Sequence, residues 1–127
     1  MARKLTPAVA PKANNLKKLI ERSLEDDKAQ DISVIALRGK SDIADYMIIA
    51  SGTSTRHIGA MAEHLARKIG ESRLCTFSTE GMTQCNWVVV DTPYVVVHLF
   101  LPEMRGMYNL EKMWSADFSD SGHAVQL

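Results

Sequence analysis

Only two cysteines, Cys75 and Cys85, occur in 127 residues. They are too few for a disulfide framework, and no Cys-x-x-Cys is present. A reducing cytosol is the compartment this implies. No apolar run approaches the ~18 residues that span a bilayer. Arg3 and Lys4 are not followed by the apolar stretch of a signal peptide. The sequence therefore predicts a cytoplasmic protein without a membrane partner. Net charge is missing as well: fifteen Lys and Arg balance fifteen Asp and Glu, so nothing in it argues for a nucleic-acid partner. The balance is uneven along the chain. Residues 1–22 carry Arg3, Lys4, Lys12, Lys17, Lys18 and Arg22 against Glu21 alone. That bias fits a solvated arm, which in an RNA-rich setting would add a weak, salt-sensitive attraction to phosphates.

Catalytic clusters are absent too. Ser51-Gly52-Thr53-Ser54 is expected at a strand-to-helix junction, where free N–H groups and the helix dipole make a generic anion site. Capping by Thr53 or Ser54 explains the same residues. The tetrapeptide is similar to the glycine–serine turn of nucleotidyltransferases, but those enzymes also need a pair of carboxylates on the next strand to hold magnesium. Leu74–Ser78 has none, and Asp42, Asp45 and Asp91 form no such pair. His57 and His64, seven residues apart on one helix, have Cα atoms separated by ~10.5 Å, too far to share a zinc without other ligands. Both are expected at the surface. His98, between Val97 and Leu99, is expected to be a buried neutral imidazole bonded to a neighbour. Neither cysteine adjoins a cation in sequence that would activate a thiolate. No catalytic residue, metal or cofactor is predicted.

Residues 1–13 lack helical or strand periodicity and are expected to be a disordered basic arm. A helix is predicted at about Asn15–Lys28, capped by Asn14 or Asn15, with Leu16, Leu19, Ile20 and Leu24 as its apolar stripe. Strands are predicted over Ile32–Leu37 and Tyr46–Ala50. The Ser51–Ser54 turn opens a second helix through about Ile69, stopped by Gly70, with Ile58, Met61, Leu65 and Ile69 facing the core. A right-handed parallel crossover should then lead to a strand at Leu74–Ser78. After the turn at Glu80-Gly81 come Trp87–Asp91 and Tyr94–Phe100, an antiparallel hairpin closed by Thr92-Pro93, whose isomer is left open. A helix follows at about Glu103–Trp114, and residues 117–127 form a flexible tail. The order α-β-β-α-β-β-β-α predicts one α/β domain over residues 14–116: a five-stranded mixed sheet with flanking helices.

What remains is a docking surface. Met104, Met107, Tyr108, Leu110, Met113 and Trp114 spread over more than half of the last helix, wider than one sheet contact needs. Trp87, Tyr94, Tyr108 and Trp114 can simply roof a core. Trp, Tyr, Met and Arg are also enriched at interface centres, and Trp87, Arg105, Met107, Tyr108 and Trp114 cluster in the last third of the chain. Base stacking would want aromatics interleaved with Lys or Arg, and the Val-rich hairpin has no basic residue. A protein partner is favoured over sequence-specific nucleic acid.

Six segments in order resemble the ribosomal silencing factor (RsfS/Iojap) family: Asp31-Ile32-x-Val34; Ala44-Asp45-Tyr46-x-Ile48-Ile49-Ala50-Ser51-Gly52-Thr53-Ser54-x-Arg56-His57; Glu80-Gly81; Trp87-Val88-Val89-Val90-Asp91; Val95-Val96-Val97-His98; and Tyr108-x-Leu110-Glu111-x-x-Trp114. The resemblance covers residues 15–115. It implies a nucleotidyltransferase-like topology without the magnesium carboxylates, and binding to the large ribosomal subunit through ribosomal protein uL14. Members thereby hinder subunit joining and damp translation when nutrients are short; organellar relatives are linked to large-subunit assembly. The family's hairpin commonly has an acidic residue and glycine near the turn, where this chain has Thr92-Pro93-Tyr94. Partner contacts are expected from Trp87, Asp91, Tyr94, Arg105, Tyr108 and Trp114. Asp91 would pair with a basic residue on the ribosomal protein, and Arg105 would bond at the rim. The apolar face could also pair with its own copy, giving a homodimer when unbound. The rivals are a nucleotidyltransferase-like enzyme, a large-subunit assembly factor and an RNA-binding module using the basic arm.

Overall fold

A computed structural model describes residues 11–37 and 44–108, with side chains described for 12–37 and 44–105. Its elements are α1 (Pro11–Asp26), β1 (Gln30–Ala36), β2 (Tyr46–Ser51), α2 (Thr55–Ser72), β3 (Ser78–Glu80), β4 (Trp87–Asp91), β5 (Val95–Phe100) and α3 (Pro102–Tyr108). The expected element order is found. The strands make one five-stranded sheet in the order β1-β2-β5-β4-β3. It is mixed: β2 and β5 pair in parallel, and the other neighbours are antiparallel. The two most apolar strands lie side by side towards the middle, where both faces are covered best.

α1 and α2 cover one face. Leu16, Ile20 and Leu24 of α1 meet Ile58, Met61, Leu65 and Ile69 of α2 over Ile48, Ala50, Val88, Val90, Val95, Val97 and Leu99, all fully buried. The expected stripes of both helices are these residues, with Leu19 partly buried beside them. On the opposite face a smaller cluster joins Met47, Ile49 and Phe100 with the partly buried Trp87, Val96 and Met104.

Several boundaries differ from the sequence expectation. α1 starts at Pro11 rather than Asn15, because proline in a first turn gives up only an N–H that has no partner within the helix. α2 starts after Ser54, whose extended backbone and side-chain oxygen cap it, and it runs through Gly70. The stop is Arg73, in left-handed geometry with φ 56°, its N–H bonded to the Gly70 carbonyl. The strand expected at Leu74–Ser78 forms only at Ser78–Glu80. It lies at the sheet edge on β4, separated from β2 by β5 and β4, although it runs in the same direction as β2. Three polar residues cannot compete with Val95–Phe100 for the place beside β2. Of the helix expected at Glu103–Trp114, α3 accounts for the part up to Tyr108; the rest, like the N-terminal arm to residue 10 and the tail, lies outside the described residues.

The hairpin turn is built on a buried hydroxyl. Thr92 Oγ1 accepts from the Val95 and Tyr94 N–H groups at 2.8 and 3.2 Å and donates to the Val95 carbonyl at 2.7 Å. Among the described residues no peptide bond is cis, so Thr92–Pro93 is trans.

Candidate protein-docking face

Strand alternation places the site. Trp87 pairs with Phe100, Val89 with His98 and Asp91 with Val96, so these six side chains share the face opposite α1 and α2. Val88 and Val90 point into the helix-covered core and are fully buried, whereas Trp87, Val89, Val96 and His98 are only partly covered and Asp91 is exposed. Three rings pack along this face. Trp87 stacks on Phe100 at 4.9 Å between centroids, and His98 lies nearly parallel to Phe100 at 5.9 Å, their planes 10° apart. The Trp87 indole N–H donates to His98 Nδ1 at 3.0 Å.

That bond requires an unprotonated Nδ1. Burial pushes His98 down from 6.5 to about 4, and the Asp91 carboxylate, acting the other way, only partly offsets it. The folded state therefore prefers the neutral ring. Its contribution to stability is fully present above pH 6.5 and is lost as pH falls from 6.5 towards 4. Wild-type protein should lose about 2 kcal/mol more than a His98→Phe variant between pH 7 and pH 4.5. Urea unfolding of both proteins at the two pH values checks this; equal losses would refute it.

The expected contact residues are brought together only in part. Trp87 and Asp91 share β4's open side. Arg105, in the last turn of α3, bonds the Ser51 hydroxyl of β2 at 2.8 Å and the Ser33 hydroxyl of β1 at 3.3 Å, so its guanidinium fastens α3 to the sheet. Tyr94 stands apart: its side chain packs with the cluster under α1 and α2, and its carbonyl accepts from Asp45 and Tyr46. The side chain of Tyr108, and Trp114 altogether, lie outside what is described. Sequence reasoning did not place His98, Val89, Val96 and Phe100 on the same face as Trp87, although their two-residue spacing from the hairpin register was available to do so.

The Ser51–Ser54 turn has other duties. Ser51 is buried. A Cβ on Gly52 would sit 2.6 Å from Ile58 Cγ1 and 3.0 Å from Met61 Cε, so this glycine lets the strand end approach α2 closely. Thr53 N–H donates to His57 Nδ1 at 3.0 Å, and Ser54 Oγ accepts from His57 N–H at 3.1 Å. His57 Nε2 donates to the Asp27 carbonyl at 2.7 Å, and His64 Nδ1 meets the Asp27 carboxylate at 2.8 Å. The two histidines expected as plain surface residues instead tie the end of α1 to α2. Among the described residues no three His, Cys, Asp or Glu side chains gather as a metal site. Burial pushes the Cys75 thiol up, against smaller lowering effects of Thr92 and Lys12, while Cys85 donates its S–H to the Met82 carbonyl at 3.0 Å.

A family model described as "Ribosomal silencing factor during starvation" matches residues 10–126. The chain belongs to this RsfS family. The match extends beyond the 15–115 span over which the resemblance was legible. Among relatives, the ribosomal silencing factor RsfS of Zymomonas mobilis is 48% identical over 83% of this chain and 80% of its own length. The mouse protein named "Mitochondrial assembly of ribosomal large subunit protein 1" is 38% identical over 72% of this chain and 42% of its own. A crystal structure of a Chromobacterium violaceum protein superposes with a TM-score of 0.78 at 32% identity, covering 83% of this chain and 88% of that one. Among the described residues, no helix of this RsfS-family chain is long and apolar enough to cross a membrane.

Proposed function

We propose that this RsfS-family protein is a ribosome-bound translational repressor. It docks on uL14 of the large subunit through the Trp87 face of its sheet, hinders joining of the small subunit by steric occlusion, and silences translation when nutrients are limiting. The observation that carries this reading is the inequality of the two sheet faces: α1 and α2 seal one, while the other presents the partly covered Trp87 and His98 rings, packed on the buried Phe100 and edged by the exposed Asp91 carboxylate. The relatives' names support a ribosomal setting. A chain of this length has a radius of gyration of ~14 Å, enough to keep a second ribosomal surface from closing, and occlusion needs no chemistry. Trp87 is the main anchor and Asp91 pairs with a basic residue of uL14. Arg105, Tyr108 and Trp114 complete the contact, whereas Tyr94, packed under α1 and α2, is left out of it.

Gradient sedimentation of cell extract tests the reading. The protein should travel with free large subunits, and adding it to purified subunits should lower the yield of joined particles. Protein that stays at the top of the gradient, or joining that is unaffected at saturating occupancy, overturns it. The mouse relative's name favours a second role in large-subunit assembly, which predicts that depletion accumulates incomplete large subunits. The enzyme alternative predicts heat on titration with ATP and magnesium. With the Ser51–Ser54 turn committed to capping and packing, a flat titration is expected.

A further inference from the structure

We propose that His98 is a positioning residue for docking: its Nδ1 lone pair holds the Trp87 indole in the orientation that meets the partner, a role that presupposes docking through this face. An indole has a single N–H, and a partly buried one needs an acceptor. Trp87 finds it in a ring on the neighbouring strand, at the next pair on the same face: Trp87 is opposite Phe100, while His98 is opposite Val89. The near-parallel packing of His98 on Phe100 restrains the imidazole, so the acceptor cannot swing away without breaking the stack. With Nδ1 accepting, the neutral ring carries its proton on Nε2. A tryptophan held by stacking from one side and a hydrogen bond at its edge loses little rotational freedom when a partner covers it, and pre-organisation of this kind raises affinity without adding a contact. The charged groups around His98 leave this arrangement intact. Asp91 of β4 acts on the ring, Glu80 of β3 follows Val89 along the same row, and Arg105 is bonded to Ser51 and Ser33.

Three variants, assayed by co-sedimentation with purified large subunits, separate this role from docking itself. His98→Phe keeps an aromatic ring and removes the acceptor; His98→Asn restores an acceptor near the Nδ1 position; Trp87→Ala removes the anchor. The loss of one hydrogen bond predicts that His98→Phe binds about tenfold more weakly and His98→Asn recovers to within about threefold. The Trp87 indole N–H resonance should move in His98→Phe and return towards its wild-type position in His98→Asn. If Trp87→Ala abolishes binding while His98→Phe binds like wild type, the positioning role is wrong and the docking face stands. Failure of His98→Asn to recover also overturns it. If Trp87→Ala binds like wild type, the docking reading falls and takes this role with it. Should His98→Phe not fold, nitrogen NMR of the wild-type ring decides: a bare Nδ1 beside a protonated Nε2 supports the proposal, and the opposite tautomer overturns it.

Discussion

Trp87→Ala should weaken capture on purified large subunits by about 2 kcal/mol or more, roughly thirtyfold, as expected for a central interface tryptophan. The substitution removes the ring that stacks on Phe100 and the N–H that bonds His98, leaving a gap beside both rings. Because Trp87 is partly exposed, the helix-covered core under Val88 and Val90 keeps its contacts, and the variant should still unfold cooperatively. Capture and unfolding therefore have to be measured on the same preparation. A folded Trp87→Ala protein that binds at wild-type strength would place the ribosomal contact elsewhere on the molecule.

The largest loss of stability should come from Gly81→Ala. Gly81 has φ +88°, and a Cβ there would overlap the carbonyl oxygen of Trp87 and crowd the Val88 Cα. The obstruction is backbone, so no side-chain rotation relieves it. Backbone strain in this region adds to the overlap, and together they should cost about 3 kcal/mol. Thermal unfolding would then shift down by about 10 °C for a domain of this size. Gly70→Ala is the internal control. That residue lies inside α2, and the nearest atom to its added Cβ is Phe77 Cε1 at 3.7 Å, an ordinary contact. There the better helix propensity of alanine should stabilise by up to about 1 kcal/mol. Equal effects at the two positions would contradict the geometry of the Gly81 turn.

These two glycines also show where the fold was legible. Apolar periodicity found the core stripes of α1 and α2 and the strands β2, β4 and β5, because burial enforces a regular spacing. Gly70 misled about the end of α2, since a glycine can remain in a helix when a later residue, here Arg73, supplies the left-handed stop. β3 was misplaced because an edge strand of Ser, Thr and Glu carries no apolar alternation. The roles of His57 and His64 could not be read, as their partner Asp27 lies 30 and 37 residues away in the chain. Arg105 escaped for the same reason: Ser51 and Ser33 are 54 and 72 residues distant. On the proposed docking face, the sequence singled out Trp87 and Asp91, which the structure places on one side of β4. His98 required the cross-strand register, and Tyr94 took the other side of the sheet at the end of the Thr92 turn.

That turn has a consequence beyond its own shape. Side chains alternate along β4 and β5, so sliding one strand by a single residue would carry Val88 and Val90 into water and drive Asp91 towards the helices. The Thr92 hydroxyl, fixed at three points, blocks that slide. One small oxygen thereby decides which set of side chains the molecule shows to the outside.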